Sequence, residues 1–313
     1  MAFFILIAGL VLLLFGGELL VKGAIALAVR FEIPTMVIGL TVVSFGTSAP
    51  ELLVSLQAAL NGHPDIAIGN VIGSNVANLA LVLGLTSIIL PIPVSRATVR
   101  IDQPVMILSV ALLWFFMWDG NITAIEGAIL FTLLILYITL LIRNAKKARV
   151  LEADMNEIKD LVKDNMPLWK SIGLILLGCV GLVFGSILLV DGATELARSF
   201  GISEYVIGVT IVAFGTSVPE LATSLIAAFR KELDISVGNL VGSNIFNIMC
   251  ILGITSMVKE IPVNPFVLSN DMYWVAGITA AVFLFSYHKM HIHRWKGIIL
   301  ILSYIAYIFV VLQ

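Results

Sequence analysis

The sequence predicts an all-α polytopic membrane protein with ten transmembrane helices in two inverted five-helix repeats. Three observations predict it. Of the 313 residues, 60% are hydrophobic and 12% charged, with a mean hydropathy of +1.08; a soluble domain carries about 25% charge. The apolar residues gather into runs of the length, about 20 residues, that spans a bilayer. The chain also aligns with itself at an offset of 169 residues: Phe31 to Val94 pairs with Phe200 to Val263 without a gap, and 33 of the 64 pairs are identical.

The ten runs lie at 3–21, 34–60, 66–90, 101–118, 122–142, 169–190, 203–229, 235–258, 270–287 and 297–312. The first has no basic segment ahead of it and reads as a retained helix, not a cleaved signal peptide. Residues 1–142 form the first five-helix repeat, 143–168 a cytoplasmic linker of mixed charge, and 169–313 the second repeat. Five is odd, so the second copy crosses in the opposite sense, an arrangement common among secondary transporters. The basic residues agree with this. With both termini extracytoplasmic, the inner segments hold 16 of the 18 Lys and Arg residues, and the outer segments hold only Arg198 and Lys259.

A net charge of -2 gives no reason to expect nucleic acid as a partner. The longest polar stretch, 143–170, is too short for a soluble catalytic domain, so the chain does not read as an enzyme. The lipid bilayer is the partner its composition implies, and no segment requires a resident cofactor or an obligatory protein partner. Cys179 and Cys250 lie in apolar runs and read as buried thiols. Glu18 and Lys22, four apart, read as a local ion pair.

Within the repeat, Gly46-Thr47-Ser48-Ala49-Pro50-Glu51 recurs as Gly215-Thr216-Ser217-Val218-Pro219-Glu220. Glu51 and Glu220 fall near the middle of their runs, where an ionisable side chain costs about 2.5–3.5 kcal/mol on insertion scales. No Lys or Arg occurs between residues 31 and 95 or between 199 and 229. Protons or bound cations are the remaining compensation. Thr47 and Glu51 share a helical face at a spacing of four, with Ser48 beside them, and Thr216, Ser217 and Glu220 repeat the pattern. Pro50 and Pro219 disturb the helix at the carbonyls of Gly46 and Gly215, and a kink there can aim backbone oxygens at an ion.

A second element, Gly69 to Asn78, recurs as Gly238 to Asn247. Ser74 with Asn78, and Ser243 with Asn247, share a face and read as ion ligands. Asn70, Asn75, Asn239 and Asn244 read as polar glue between helices, and the glycines as points of close approach. Two carboxylates, several hydroxyls, two amides and freed carbonyls make an all-oxygen donor set, which suits hard cations. Ca²⁺ takes six to eight oxygens in flexible geometry, Na⁺ suits the same set, and Mg²⁺ demands a tighter octahedron.

These paired motifs, GTSAPE with GNVIGSNVAN and GTSVPE with GNLVGSNIFN, resemble the alpha-repeats of the cation/Ca²⁺ exchanger superfamily. The resemblance covers nearly the whole chain and is closest to the prokaryotic sodium/calcium exchangers. It implies that Thr47, Ser48, Glu51, Ser74 and Asn78, with Thr216, Ser217, Glu220, Ser243 and Asn247, ligate Na⁺ and Ca²⁺. It adds the backbone carbonyls of Ser44 and Ala213. It further implies a prokaryotic cell membrane and alternating access, in which the first helices of the two repeats, 3–29 and 169–198, slide across a more rigid core. One position departs: many sodium-dependent members carry Asp where this chain has Asn247. That leaves H⁺ open as the counter-ion, and with it a Ca²⁺/H⁺ antiporter. A passive cation channel is the rival from a different class, separated by whether Ca²⁺ flux needs a counter-ion.

Overall fold

A computed structural model describes residues 2–149, 166–201 and 213–311. Most of the expected linker, the start of the 203–229 run and both terminal residues lie outside the described residues. Among the described residues, eight helices are long and apolar enough to cross a membrane. They are α1 (Ala2–Phe31), α4 (Pro64–Ile89), α5 (Thr98–Asp119), α6 (Ala124–Arg149), α7 (Leu168–Ser199), α9 (Leu233–Val258), α10 (Val267–Tyr287) and α11 (Arg294–Val311). α2 (Thr35–Thr47) and α3 (Ala49–Leu60) meet at 45° and are together long and apolar enough to make a ninth span if the bent pair counts as one. Of the expected 203–229 crossing, the described part is a short turn, Ala213–Gly215, followed by α8 (Val218–Phe229).

The first crossing is longer than its apolar run of 3–21. Beyond Lys22 three of the nine residues to Phe31 are Ala, the best helix former, and α1 is 30 residues long in all. It stops where Glu32 turns to φ 53° just before Pro34. Likewise α7 outruns 169–190 and ends before Gly201, at φ 76°, the left-handed position that glycine supplies after a helix.

α4 and α9 form the centre. Their apolar stretches are 72% and 83% buried, against 22–39% for the other long helices. Each is flanked by the last helix of the other half: Gly253 of α9 would set a Cβ 3.1 Å from the Gly127 carbonyl of α6, and Gly84 of α4 would set one 3.0 Å from the Gly297 carbonyl of α11. Four two-residue strands tie the halves in the same reciprocal way. β1 (Ile92–Pro93) pairs antiparallel with β4 (His291–Ile292), and β2 (Asn121–Ile122) with β3 (Ile261–Pro262). Val94 N–H donates to the Met290 carbonyl at 2.9 Å, and Val263 N–H to the Gly120 carbonyl at 2.8 Å.

α1 and α7 pack chiefly on each other, along a glycine seam. Gly9, Gly16 and Gly23 lie seven apart on α1, and Gly178, Gly185 and Gly192 lie seven apart on α7, so each set keeps to one helix face. A Cβ at Gly16 would sit 2.7 Å from the Leu182 nitrogen, and one at Gly178 2.6 Å from the Leu20 nitrogen. Gly9 meets Leu189, Gly16 meets Leu182 and Gly23 meets Ile175, so the two helices run antiparallel.

The two halves solve one local problem with opposite charges. Glu126 opens α6 by accepting from Thr123 N–H and Oγ1, both at 2.8 Å, a capping box. Its counterpart 170 residues on is Lys296, whose side chain is fully buried. The Lys296 ammonium donates to the carbonyls of Phe285 (2.5 Å), His288 (3.1 Å) and His291 (2.7 Å), closing the end of α10. Lys296→Met leaves these carbonyls without that donor and is expected to lower stability by about 1–3 kcal/mol, measured as the thermal midpoint in detergent.

Two further readings are settled here. Cys179 and Cys250 are free thiols, the second buried and the first half-buried. Glu18 does not form the expected pair with Lys22; its carboxylate is held by Arg230, whose Nε donates to Oε2 at 2.9 Å and whose Nη2 donates to Oε1. A two-pronged guanidinium fits a carboxylate better than a single ammonium does.

Candidate cation site

Both hexapeptides interrupt their helices at the same residue. Ser48 separates α2 from α3 with φ -83°, ψ 7°, and Ser217 precedes α8 with φ -88°, ψ 1°. Pro50 and Pro219 fall in the first turn of the new helix, where a missing N–H leaves no bond broken. The expected kink within one helix is therefore a break between two. The surroundings of the two glycines also differ; for Gly215 the contact is at the carbonyl, which accepts from Ser186 Oγ at 2.6 Å. Gly46 packs against Cys179, whose sulfur would lie 2.7 Å from an added Cβ.

The companion elements carry a feature with no sequence signature. α4 widens into a π-helical stretch at Ala77–Val82, and α9 at Asn247–Leu252. Such turns displace backbone from the α-helical ladder and are frequent at functional sites. Asn78 and Asn247 sit where the widening begins.

These four segments bring together side chains from both halves. Ser48 Oγ donates to Glu220 Oε1 at 3.1 Å, and Ser243 Oγ donates to the same oxygen at 3.5 Å. Thr47 Oγ1 lies 3.4 Å from Ser243 Oγ, and its counterpart contact, Ser74 Oγ to Thr216 Oγ1, is also 3.4 Å. Glu51 lies in the first turn of α3, three residues after the Ser48 that donates to Glu220. Ser44, Thr47, Ser48, Glu51, Ser74, Asn78, Ser217, Glu220, Ser243 and Asn247 are all buried. The Ser44 carbonyl accepts from Thr47 Oγ1 at 3.3 Å, and Ala213 opens the turn before α8.

What the site lacks is equally informative. Among the described residues, both oxygens of Glu51, Oε2 of Glu220, Ser217 Oγ and the amide groups of Asn78 and Asn247 are buried without a hydrogen-bond partner. Buried polar groups are normally satisfied, and buried carboxylates are paired or coordinate metals. The orphaned oxygens converge from both halves, and no basic side chain partners either carboxylate among the described residues. No group of three or more His, Cys, Asp or Glu side chains forms a conventional metal cluster there, so the donor set is two carboxylates with hydroxyls and amides.

Of the asparagines read as glue, Asn70, Asn75 and Asn239 bridge helices, whereas the Asn244 amide donates to the Leu240 carbonyl of its own helix at 2.8 Å. Asn70 Nδ2 donates to Ser55 Oγ at 2.9 Å, Asn239 Nδ2 to Ser224 Oγ at 3.1 Å, and Asn75 Nδ2 to the Asn244 carbonyl at 3.4 Å. Asn239 does more than sequence reasoning assigned, because its Oδ1 accepts from Thr47 Oγ1 at 3.0 Å and so orients a site hydroxyl. Gly238 and Gly242 make the expected close approach, to the backbone of Met36 and Leu40. Gly69 and Gly73 meet nothing within 4 Å among the described residues; the segment that the repeat would set against them lies largely outside these.

A multi-pass helical fold, with buried carboxylates and hydroxyls converging between its halves, belongs to the membrane transport proteins. The model of the family described as "Sodium/calcium exchanger protein" matches residues 1–143 and 170–313, and the chain belongs to that family. The inner membrane protein YrbG of Escherichia coli is 36% identical over 286 residues, covering 89% of this chain and 86% of that one. The sodium/calcium exchanger MaX1 of Methanosarcina acetivorans is 30% identical over 341 residues, covering 98% and 97%. Among solved structures, the sodium-calcium exchanger NCX_Mj, soaked with 2.5 mM Na⁺ and 0.1 mM Ca²⁺, superimposes with a TM-score of 0.82 at 35% identity, covering 97% of this chain and 96% of that one. The chain is thus a multi-pass integral membrane protein of a cation/Ca²⁺-exchanging family.

Proposed function

We propose that the chain is a secondary antiporter that exchanges Ca²⁺ for Na⁺ by alternating access, in a cell membrane with both termini extracytoplasmic. One observation carries this reading: two buried carboxylates, one from each half, keep unpartnered oxygens on segments that meet through the Ser48–Glu220 bond, with no basic partner among the described residues. Two negative charges balance one Ca²⁺, and Na⁺ accepts the same all-oxygen donors. Thr47, Ser48, Glu51, Ser74, Asn78, Thr216, Ser217, Glu220, Ser243 and Asn247, with the carbonyls of Ser44 and Ala213, would share these ions. Overlapping ligands make occupancy by one ion exclude the other, which is what couples their movements.

The inverted arrangement of residues 1–142 and 169–313 is supported by the antiparallel α1–α7 seam and the reciprocal strand pairs. The family match also skips 144–169, in keeping with a linker there. The uncharged amide of Asn247 favours attention to H⁺ as the alternative counter-ion. Ca²⁺ uptake into proteoliposomes is expected to follow an outward Na⁺ gradient. Uptake driven only by an outward H⁺ gradient would replace the sodium assignment, and Ca²⁺ flux with neither ion would make the protein a channel.

A further inference from the structure

Both helices of the α1–α7 pair carry a polar tie to the same short helix. Ser186, buried on α7, donates to the Gly215 carbonyl at 2.6 Å. That carbonyl is the one whose helical donor would have been residue 219, and Pro219 has no N–H. Glu18, on α1, holds Arg230 through both carboxylate oxygens, and Arg230 directly follows α8. The pair therefore grips α8 just before its first residue and just after its last.

The other half has neither tie. Shifting by 169 residues, Ser186 corresponds to Gly17 and Glu18 to Ile187, while Gly215 corresponds to Gly46 and Arg230 to Asn61. Glycine offers no hydroxyl to the Gly46 carbonyl, and isoleucine with asparagine forms no ion pair. A transporter of two related halves would have two related end states, and identical halves would give them equal energy. Here one arrangement of the α1–α7 pair against the core gains two contacts that its counterpart cannot form.

We propose that Ser186 and Glu18 are positioning residues that latch the α1–α7 pair to α8 and hold the transport cycle toward the conformation described here. This rests on the exchanger reading, because it requires the pair to move against the core. It predicts that the two membrane faces differ in apparent Ca²⁺ affinity through residues that touch no ion.

The test uses the full chain with Cys179 and Cys250 replaced, and spin labels at Lys22→Cys on α1 and His63→Cys after α3, both exposed positions. Distance distributions are recorded without ion gradients. The reference chain is expected to give one dominant distance. Ser186→Ala and Glu18→Gln are each expected to raise a second population about threefold, the typical worth of one hydrogen bond between membrane helices. Ser186→Thr keeps the hydroxyl, and Glu18→Arg combined with Arg230→Glu restores the pair; both are expected to return the reference distribution. Distributions unchanged in Ser186→Ala and Glu18→Gln overturn the latch. So does a thermal midpoint that falls while the distances stay fixed, because the contacts would then only support the fold. Since this readout needs no transport, it stands apart from the exchange assay, in which failure of the reference chain would overturn the proposed function instead.

Discussion

Glu51→Gln and Glu220→Gln are each expected to abolish Ca²⁺ transport while the protein still folds. The side chains are isosteric, so packing is retained and only a charge is lost. Two unit charges about 4 Å apart interact by about 4 kcal/mol at an effective dielectric near 20. Removing one carboxylate from a divalent ion should therefore weaken binding by at least about a thousandfold. Removing a neutral hydroxyl such as Ser74 should weaken it by about tenfold or less, so the carboxylates decide the outcome. Stability moves the other way. A buried carboxylate without a partner is unfavourable, and neither carboxylate oxygen of Glu51 has a hydrogen-bond partner among the described residues. Glu51→Gln is thus expected to match or exceed the parent in thermal midpoint without Ca²⁺. Glu220 accepts from Ser48 and Ser243 through one oxygen; the amide oxygen of Gln keeps both bonds but without the charge that strengthens them, so Glu220→Gln should gain less. Ligand binding raises the parent's midpoint by mass action, and both variants are expected to lose that Ca²⁺-dependent rise. A variant that folds and transports Ca²⁺ normally would remove its carboxylate from the proposed site.

Those two residues were legible in the sequence because they violate the solvent: a carboxylate in an apolar run demands compensation, and its duplication names the second half of the site. The contacts of Ser48 with Glu220 and of Thr47 with Ser243 bring the two halves together but leave both oxygens of Glu51 and one of Glu220 uncompensated among the described residues. Other features were hidden for identifiable reasons. The run 3–21 stops at the charge of Lys22, whereas α1 runs on to Phe31 because one charged side chain does not interrupt the backbone ladder. The π-helical stretches at Asn78 and Asn247 add a residue to a turn without changing composition. The i, i+4 rule for charged pairs sees only one helix, so it assigned Lys22 to Glu18 when the better partner arrives from 212 positions away. The Ser186 bond to Gly215 depends on a carbonyl that the proline leaves free, and its partner helix is set by tertiary packing.

The glycine seam leaves only scattered matches at the 169-residue offset, among them Gly16 with Gly185 and Gly23 with Gly192, yet its disruption carries the second large expected effect. Gly16→Leu and Gly178→Leu should each separate α1 from α7. A Cβ at Gly16 would fall 2.7 Å from the Leu182 nitrogen and 2.9 Å from the Gly178 carbonyl oxygen, where carbon contacts settle at about 3.5–4.0 Å. The obstructing atoms are backbone, so no side chain can rotate away, and the two helices must part along their length. Overpacking costs about 1–3 kcal/mol, occasionally more, where neighbours can shift, and lipid offers no hydrophobic drive to hold the helices together once small residues are lost. Both variants are expected to show a lower thermal midpoint and little Ca²⁺ uptake. Gly173 provides the control within α7, because an added Cβ there meets nothing within 4 Å among the described residues. Gly173→Ala should be neutral or stabilising by up to about 1 kcal/mol through helix propensity alone. If Gly16→Leu and Gly178→Leu behaved like Gly173→Ala, close backbone approach would not be what joins the pair, and the α1–α7 unit would have to be held by its outer contacts.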